Sequence, residues 1–146
     1  MNPARKLIIA CGNPLRGDDG LGPALIDRLS WLDRSDIETD VDYQLNIEDA
    51  VTVAAHERIL FVDASVTAPS PFLLKPLAPS SEIAFTSHRV TPGTVLAICH
   101  DHFDHRPEAW VMAIRGFHFE LGEGLSVDAL GNLEEAFIGV IEWLER

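Results

Sequence analysis

The chain has 146 residues, the usual size of one compact domain, and 47% of them are hydrophobic, so a real core is available. Acidic residues number 23 and basic residues 11, a formal charge of −12. Such a surface repels phosphate backbones and anionic membrane surfaces, so neither nucleic acid nor membrane is an expected partner, and a protein or small ligand is. No segment approaches the roughly 18 unbroken apolar residues of a membrane span. The basic N-terminus leads into only a short apolar run with no small-residue cleavage pattern, which makes the cytoplasm the expected location. The two cysteines, Cys11 and Cys99, lie in apolar surroundings and read as small buried hydrophobes, without a disulfide.

In chain order, Lys6–Cys11 is a short apolar run ending at Gly-Asn-Pro, the pattern of a buried parallel strand. Leu21 to Leu32 carries a helical apolar stripe through Leu21, Ala24, Leu25, Leu29 and Leu32. Val41–Leu45 is a candidate second strand, and Ile47–His56 a short helix. Ile59–Val62 is another buried strand, with Asp63 expected as the first residue after it. The proline-rich stretch from Ala64 to Ser81 is long for a connection in a small domain, so an edge strand is expected at Phe72–Leu77. Thr91-Pro92 marks a helix start, with Thr as cap and Pro at the first position, running to about His100 or a little beyond. Ala109–Ile114 is a further strand, and Ser126 to Arg146 a long amphipathic helix capped by Ser126. The alternation predicts an α/β fold. A single three-layer domain over residues 1–146 is expected, with a mainly parallel twisted sheet and helices on both faces.

In such sheets ligands bind at the carboxyl ends of the strands, where the strand order reverses. Three groups of polar residues fall where that edge should be. The first is Cys11-Gly-Asn-Pro-Leu-Arg-Gly-Asp18-Asp19-Gly-Leu-Gly22, a tight glycine turn around paired acids before a helix. One acid there can simply cap the helix or fasten the loop, and Asp18 is the first choice for that role. The loop lacks the glycine spacing and the lysine of a phosphate cradle. The second is Asp63, costly directly after a buried strand unless solvated, paired or a ligand. The third is His88, in Thr86-Ser-His-Arg-Val-Thr-Pro-Gly93. A lone histidine before a helix start is more often structural than a ligand. Two carboxylates and one imidazole together form an incomplete shell for a borderline divalent ion, with water or a second protein supplying the rest. His-Glu-x-x-His, Gly-x-Ser-x-Gly and a Cys–His nucleophile pair in register are all missing.

At these residues the chain resembles the hydrogenase maturation protease family. Gly12-Asn-Pro-Leu-Arg-Gly-Asp-Asp-Gly-Leu-Gly22 is similar to its Gly-Asn…Asp-(Asp/Glu)-Gly-x-Gly signature. Val62-Asp63-Ala is similar to its second motif, and Ser87-His88 followed by Pro92 to its third. The stretch from Ile114 to Ser126 looks like one branch of the family. The resemblance spans nearly the whole chain, in the right order. It implies an endopeptidase that removes the C-terminal extension of a nickel-loaded NiFe-hydrogenase large-subunit precursor, its protein partner. By position it implies metal contacts from Asp19, Asp63 and His88; many members carry Glu at the place of Asp19. The nickel is contributed by the substrate, and no tightly bound metal of the protein's own is expected. Either Asp19 or Asp63 activates water while nickel orients the substrate, or all three residues serve recognition alone.

His100-Asp-His102-Phe-Asp104-His105 spells a metallo-β-lactamase-like zinc motif. Those enzymes need a larger domain and further ligands downstream, where only His118 remains, so a solvated helix end before Arg106-Pro107 is expected instead. Peptidyl-tRNA hydrolase has a related fold and a strand leading into Gly-Asn-Pro. Its early catalytic histidine is replaced here by Asp18-Asp19, and the charge is wrong for RNA. A non-cleaving, nickel-dependent chaperone of the large subunit is the non-enzyme alternative.

Overall fold

The computed structural model describes residues 5–80 and 90–146. Strands β1 (Lys6–Cys11), β2 (Ile37–Asp42), β3 (Arg58–Ser65), β4 (Phe72–Pro76) and β5 (Glu108–Arg115) form one sheet in the order β2-β1-β3-β5-β4. The first three pairings, β2 with β1, β1 with β3 and β3 with β5, are parallel; β4 lies antiparallel on the β5 edge. The α/β expectation therefore holds, and so does the edge strand in the proline-rich stretch.

Helices α1 (Leu21–Ser30), α2 (Asp49–Ala54), α3 (Pro92–Phe103) and α4 (Val127–Leu144) cover both faces. The split follows from strand alternation, because successive side chains point to opposite faces. Ile8, Ala10, Leu60, Val62, Met112 and Ile114 pack under α1 and α4. Leu7, Ile9, Cys11, Ile59, Phe61 and Ala109 pack under α2 and α3. The chain runs from β1 through α1 to β2, then returns through α2 to β3 on the other side of β1. Right-handed crossovers in opposite directions put their helices on opposite faces. The reversal sits between β1 and β3, so their carboxyl ends border the crevice where ligands bind in such folds.

Some boundaries differ from the sequence reading. The second strand is Ile37–Asp42, upstream of Val41–Leu45; as an edge strand it is largely exposed and its pattern Ile-Glu-Thr-Asp-Val-Asp carries little apolar signal. Asp63 does not follow β3 but lies within it. Pairing with β1 ends at Ala10 and Val62, while pairing with β5 continues through Asp63–Ala113 to Ser65–Arg115. The helix after the first motif stops at Ser30 and α2 is one short turn and a half, Asp49–Ala54. The two caps are as read: Thr91 Oγ1 accepts from Thr94 N–H at 3.2 Å, and Ser126 Oγ from Ala129 N–H at 3.2 Å.

Candidate active site

The first motif leaves β1 at Cys11 and turns sharply. Gly12 has φ +149, and a Cβ there would lie 2.0 Å from the Asp19 carbonyl oxygen, so only glycine lets the turn close on itself. At Gly22 a Cβ would come within 2.6 Å of the Cys11 carbonyl; its absence lets α1 pack directly on the end of β1. Between them Gly17–Gly20 forms a single 3₁₀ turn carrying both acids.

The two neighbouring aspartates have opposite surroundings. Asp18 is fully buried and accepts four hydrogen bonds: from Phe117 N–H at 2.8 Å, His118 N–H at 3.0 Å, Ser126 N–H at 2.8 Å and Ser126 Oγ–H at 2.8 Å. Burial by itself would raise its pKa, but the donors from Ser126, Phe117 and His118 outweigh that and hold the carboxyl below its ordinary value. Asp18 does not cap α1; it ties the motif loop to the segment ahead of α4. Gly17 N–H to Gly122 and Asp18 N–H to His118 complete the fastening. Asp19 is only partly buried. One of its oxygens accepts Asn13 N–H at 2.8 Å, and the side chain faces a cleft.

Asp63 lines the same cleft. It is exposed, and its Oδ1 accepts the N–H of Ala64 at 2.8 Å. Alternation along β3 puts Asp63 on the face of Ile59 and Phe61, and the early end of β1 leaves space beside it. Asp19 and Asp63 thus meet at the carboxyl edge, at the reversal point. His88, the third residue of the set, lies outside the described residues. Val90, two positions along the chain, lines this cleft.

The rest of the wall was not singled out by sequence reasoning. Tyr43, Gln44 and Leu45, all expected in the second strand, instead form the β2–α2 connection and wall the cleft; Thr91 and Pro92 bring the start of α3 to it. Cys11 is buried as expected, but it also lines the cleft. Burial, and then the charges of Asp63, Asp49, Asp42 and Asp40, push its thiol pKa up to about 12, so at neutral pH it is a protonated, non-nucleophilic group. Its place as the last residue of a buried strand, directly before a motif loop, was the available signal.

The histidine-rich helix end is dispersed. His105 Nε2 donates to the His56 carbonyl, His100 Nδ1 lies 3.3 Å from an Arg106 guanidinium nitrogen, and His102 is exposed. Among the described residues no three His, Cys, Asp or Glu side chains gather closely enough to hold an ion. A zinc centre built from this motif has no support there. The Asp19–Asp63 pair equally needs ligands beyond the described residues to complete a shell.

Fold and cleft together define a class: a doubly wound α/β domain with two carboxylates at its reversal point. Solved structures of this architecture include a NiFe-hydrogenase maturation protease of Thermococcus kodakarensis, with 20% identity, TM-score 0.77, and coverage of 98% of this chain and 94% of that one. A hydrogenase maturating endopeptidase of Escherichia coli gives 18% identity, TM-score 0.77, and coverage of 97% and 92%. A hydrogenase 2 maturation peptidase of a Thaumarchaeota archaeon gives 22% identity, TM-score 0.72, and coverage of 97% and 98%. At these identities the likeness shows a shared fold across nearly the full length of each chain. No family model and no curated protein sequence matches the chain.

Proposed function

We propose that this protein is an endopeptidase that removes the C-terminal extension of a nickel-loaded NiFe-hydrogenase large-subunit precursor. The observation that carries the reading is the meeting of Asp19 and Asp63 in one cleft at the strand-order reversal, in a fold shared with solved structures named as hydrogenase maturation protease and endopeptidase. Asp19, Asp63 and His88 contact the nickel that arrives with the substrate, whose own ligands complete the metal's surroundings. Two carboxylates and an imidazole lack the number and selectivity to retain free nickel, so the metal acts as the recognition element of the substrate. One of the two carboxylates takes a proton from a water molecule. The water oxygen attacks the scissile carbonyl carbon, the carbon–nitrogen bond breaks, and the proton passes to the departing amine.

The test is incubation of the purified protein with nickel-loaded and nickel-free precursor, followed by product mass. The nickel-loaded form should be shortened and the nickel-free form should resist. Asp19→Asn, Asp63→Asn and His88→Ala should each lower kcat/KM by about 100-fold or more. All three variants should remain folded, whereas His102→Ala and His105→Ala should process nearly normally. A stable, unclipped complex with the wild-type protein would mean a chaperone. Equal cleavage of both precursors would remove nickel from the recognition step.

A further inference from the structure

Asn13 and Pro14 follow β1 within the first motif. Asparagine at the first position and proline at the second suit a β-turn, because proline presets φ and asparagine bonds the backbone two residues on. Both kinds of bond form here. The Asn13 carbonyl accepts Arg16 N–H at 3.0 Å, and Asn13 Oδ1 accepts Leu15 N–H at 2.9 Å. Pro14 has no N–H, so Leu15 offers the first donor after Asn13. The Arg16 carbonyl in turn accepts Asp19 N–H at 3.1 Å, and Asp19 Oδ2 accepts Asn13 N–H at 2.8 Å. These bonds close a ring from Asn13 to Arg16 to Asp19 and back, with the Asn13 side chain bracing its first segment. The ring is seated on both sides. Gly12 N–H donates to the Asp42 carbonyl at 3.0 Å, and a Cβ on Gly20 would lie 3.0 Å from Pro14 Cα.

An aspartate does not fix the orientation of its own carboxylate, because the torsion about its Cβ–Cγ bond is broad. Here Asp19 Oδ2 is held by a backbone N–H whose direction the turn sets. Oδ1 accepts no hydrogen bond among the described residues. We propose that Asn13 is a positioning residue for the cleavage. Its side chain closes the turn that aims its own N–H at Asp19 Oδ2, and so presents Asp19 Oδ1 in one orientation to the substrate's nickel or to the attacking water. The inference rests on the endopeptidase reading above and adds a residue that acts through Asp19. Asn13 does not line the described part of the cleft, so its effect is not a contact with substrate. A carboxylate held in advance loses no time or freedom to reorientation, and displacement of a reacting group by about 1 Å can cost on the order of 100-fold in rate.

The experiment measures kcat/KM on nickel-loaded precursor for Asn13→Ala, Asn13→Asp, Asp19→Asn and the double variant Asn13→Ala with Asp19→Asn. Asn13→Ala removes the acceptor for Leu15 N–H and should lower kcat/KM by about 10-fold or more. Asn13→Asp keeps that acceptor and should stay within about threefold of the wild type. Residues that act as a unit are not additive, so adding Asn13→Ala to Asp19→Asn should cost less than about twofold further. An equal loss in both backgrounds would mean that Asn13 merely supports the fold, and overturns the inference. So does a loss that Asn13→Asp fails to restore, or full activity in Asn13→Ala. A crystal structure of Asn13→Ala gives a readout independent of cleavage. The Asp19 carboxylate should have left the N–H of residue 13; a carboxylate still bonded there in its present orientation overturns the positioning role. If the wild type leaves the nickel-loaded precursor at full length, the endopeptidase reading falls by itself, and that structure still decides whether Asn13 orients Asp19.

Discussion

Asp18 and Asp19 are adjacent in sequence and opposite in role, and the difference lies in their donors. Asp18 has four, all from the segment between Phe117 and Ser126, and no access to solvent. Asp18→Asn keeps the shape but turns an amide toward backbone N–H groups. The loss of charge-assisted bonds and the new donor–donor contact should cost about 3 kcal/mol. In a chain of this size that lowers Tm by roughly 6–12 °C, measurable by calorimetry. Under the proposed endopeptidase function cleavage should fall as well, since the same turn carries Asp19; a variant with unchanged Tm would show that the fastening is unimportant. Cys11 gives a second check at this scale. With its thiol pKa at about 12, the thiolate fraction at pH 8 is about 10⁻⁴, against roughly a quarter for an ordinary cysteine. Iodoacetamide labelling of native protein, followed by intact mass, should leave Cys11 unmodified over times that fully label the unfolded chain.

Ser126 shows how one side chain can join two elements. Its Oγ caps α4 by accepting Ala129 N–H and donates to Asp18 at 2.8 Å. Among the described residues Thr91 caps only α3, its hydroxyl lying 2.9 Å from that of Thr94. Ser126→Ala should therefore cost about 2 kcal/mol, roughly a cap plus a bond to a buried carboxylate, and Thr91→Ala about 1 kcal/mol. Urea denaturation of both variants checks the order; a larger loss for Thr91→Ala would contradict it. These caps were readable because Ser and Thr before a helical run have local consequences that sequence alone fixes. So were β1 and the core of β3, whose apolar runs are buried on both faces. The edge strand β2 was misplaced because its residues satisfy a neighbour's backbone while their side chains face solvent. The end of β3 was cut short at Asp63 because the continuation depends on β5, more than forty residues away. The same limit applies to the cleft. Asp19 and Asp63 stood out by residue type, whereas Tyr43, Leu45 and Val111 acquire their positions from topology.

At the scale of the molecule, charge sets the response to pH. Two kinds of carboxyl group oppose each other. Asp18 is held low against its burial by its donors, and Asp36 is drawn down to about 2, first by its hydrogen bonds to Arg34 and then, against burial, by Lys6. Such groups bind protons more weakly folded than unfolded. Their contribution is complete above the unfolded carboxyl pKa of about 4 and is lost as pH falls through the folded values. Asp49 behaves in reverse: burial raises its pKa, opposed by Asn46 N–H and reinforced by Asp40, Asp42 and Glu48. Stability is lost as pH rises through its folded pKa and recovered on the way down. The formal charge of −12 adds self-repulsion that also relaxes as acids are neutralised. On acidification the urea midpoint should consequently rise as Asp49 takes up its proton above the ordinary carboxyl pKa of about 4, then fall below about pH 4 as Asp18 and Asp36 are protonated. Adding about 0.5 M sodium chloride at pH 8 should raise the midpoint by screening that repulsion, with a smaller gain at pH 5. A midpoint that does not change with pH and is indifferent to salt would mean that the excess acidic charge exerts no net strain on the fold. Stabilisation by salt at pH 8 would instead identify the excess acidic charge as a cost carried by the folded state.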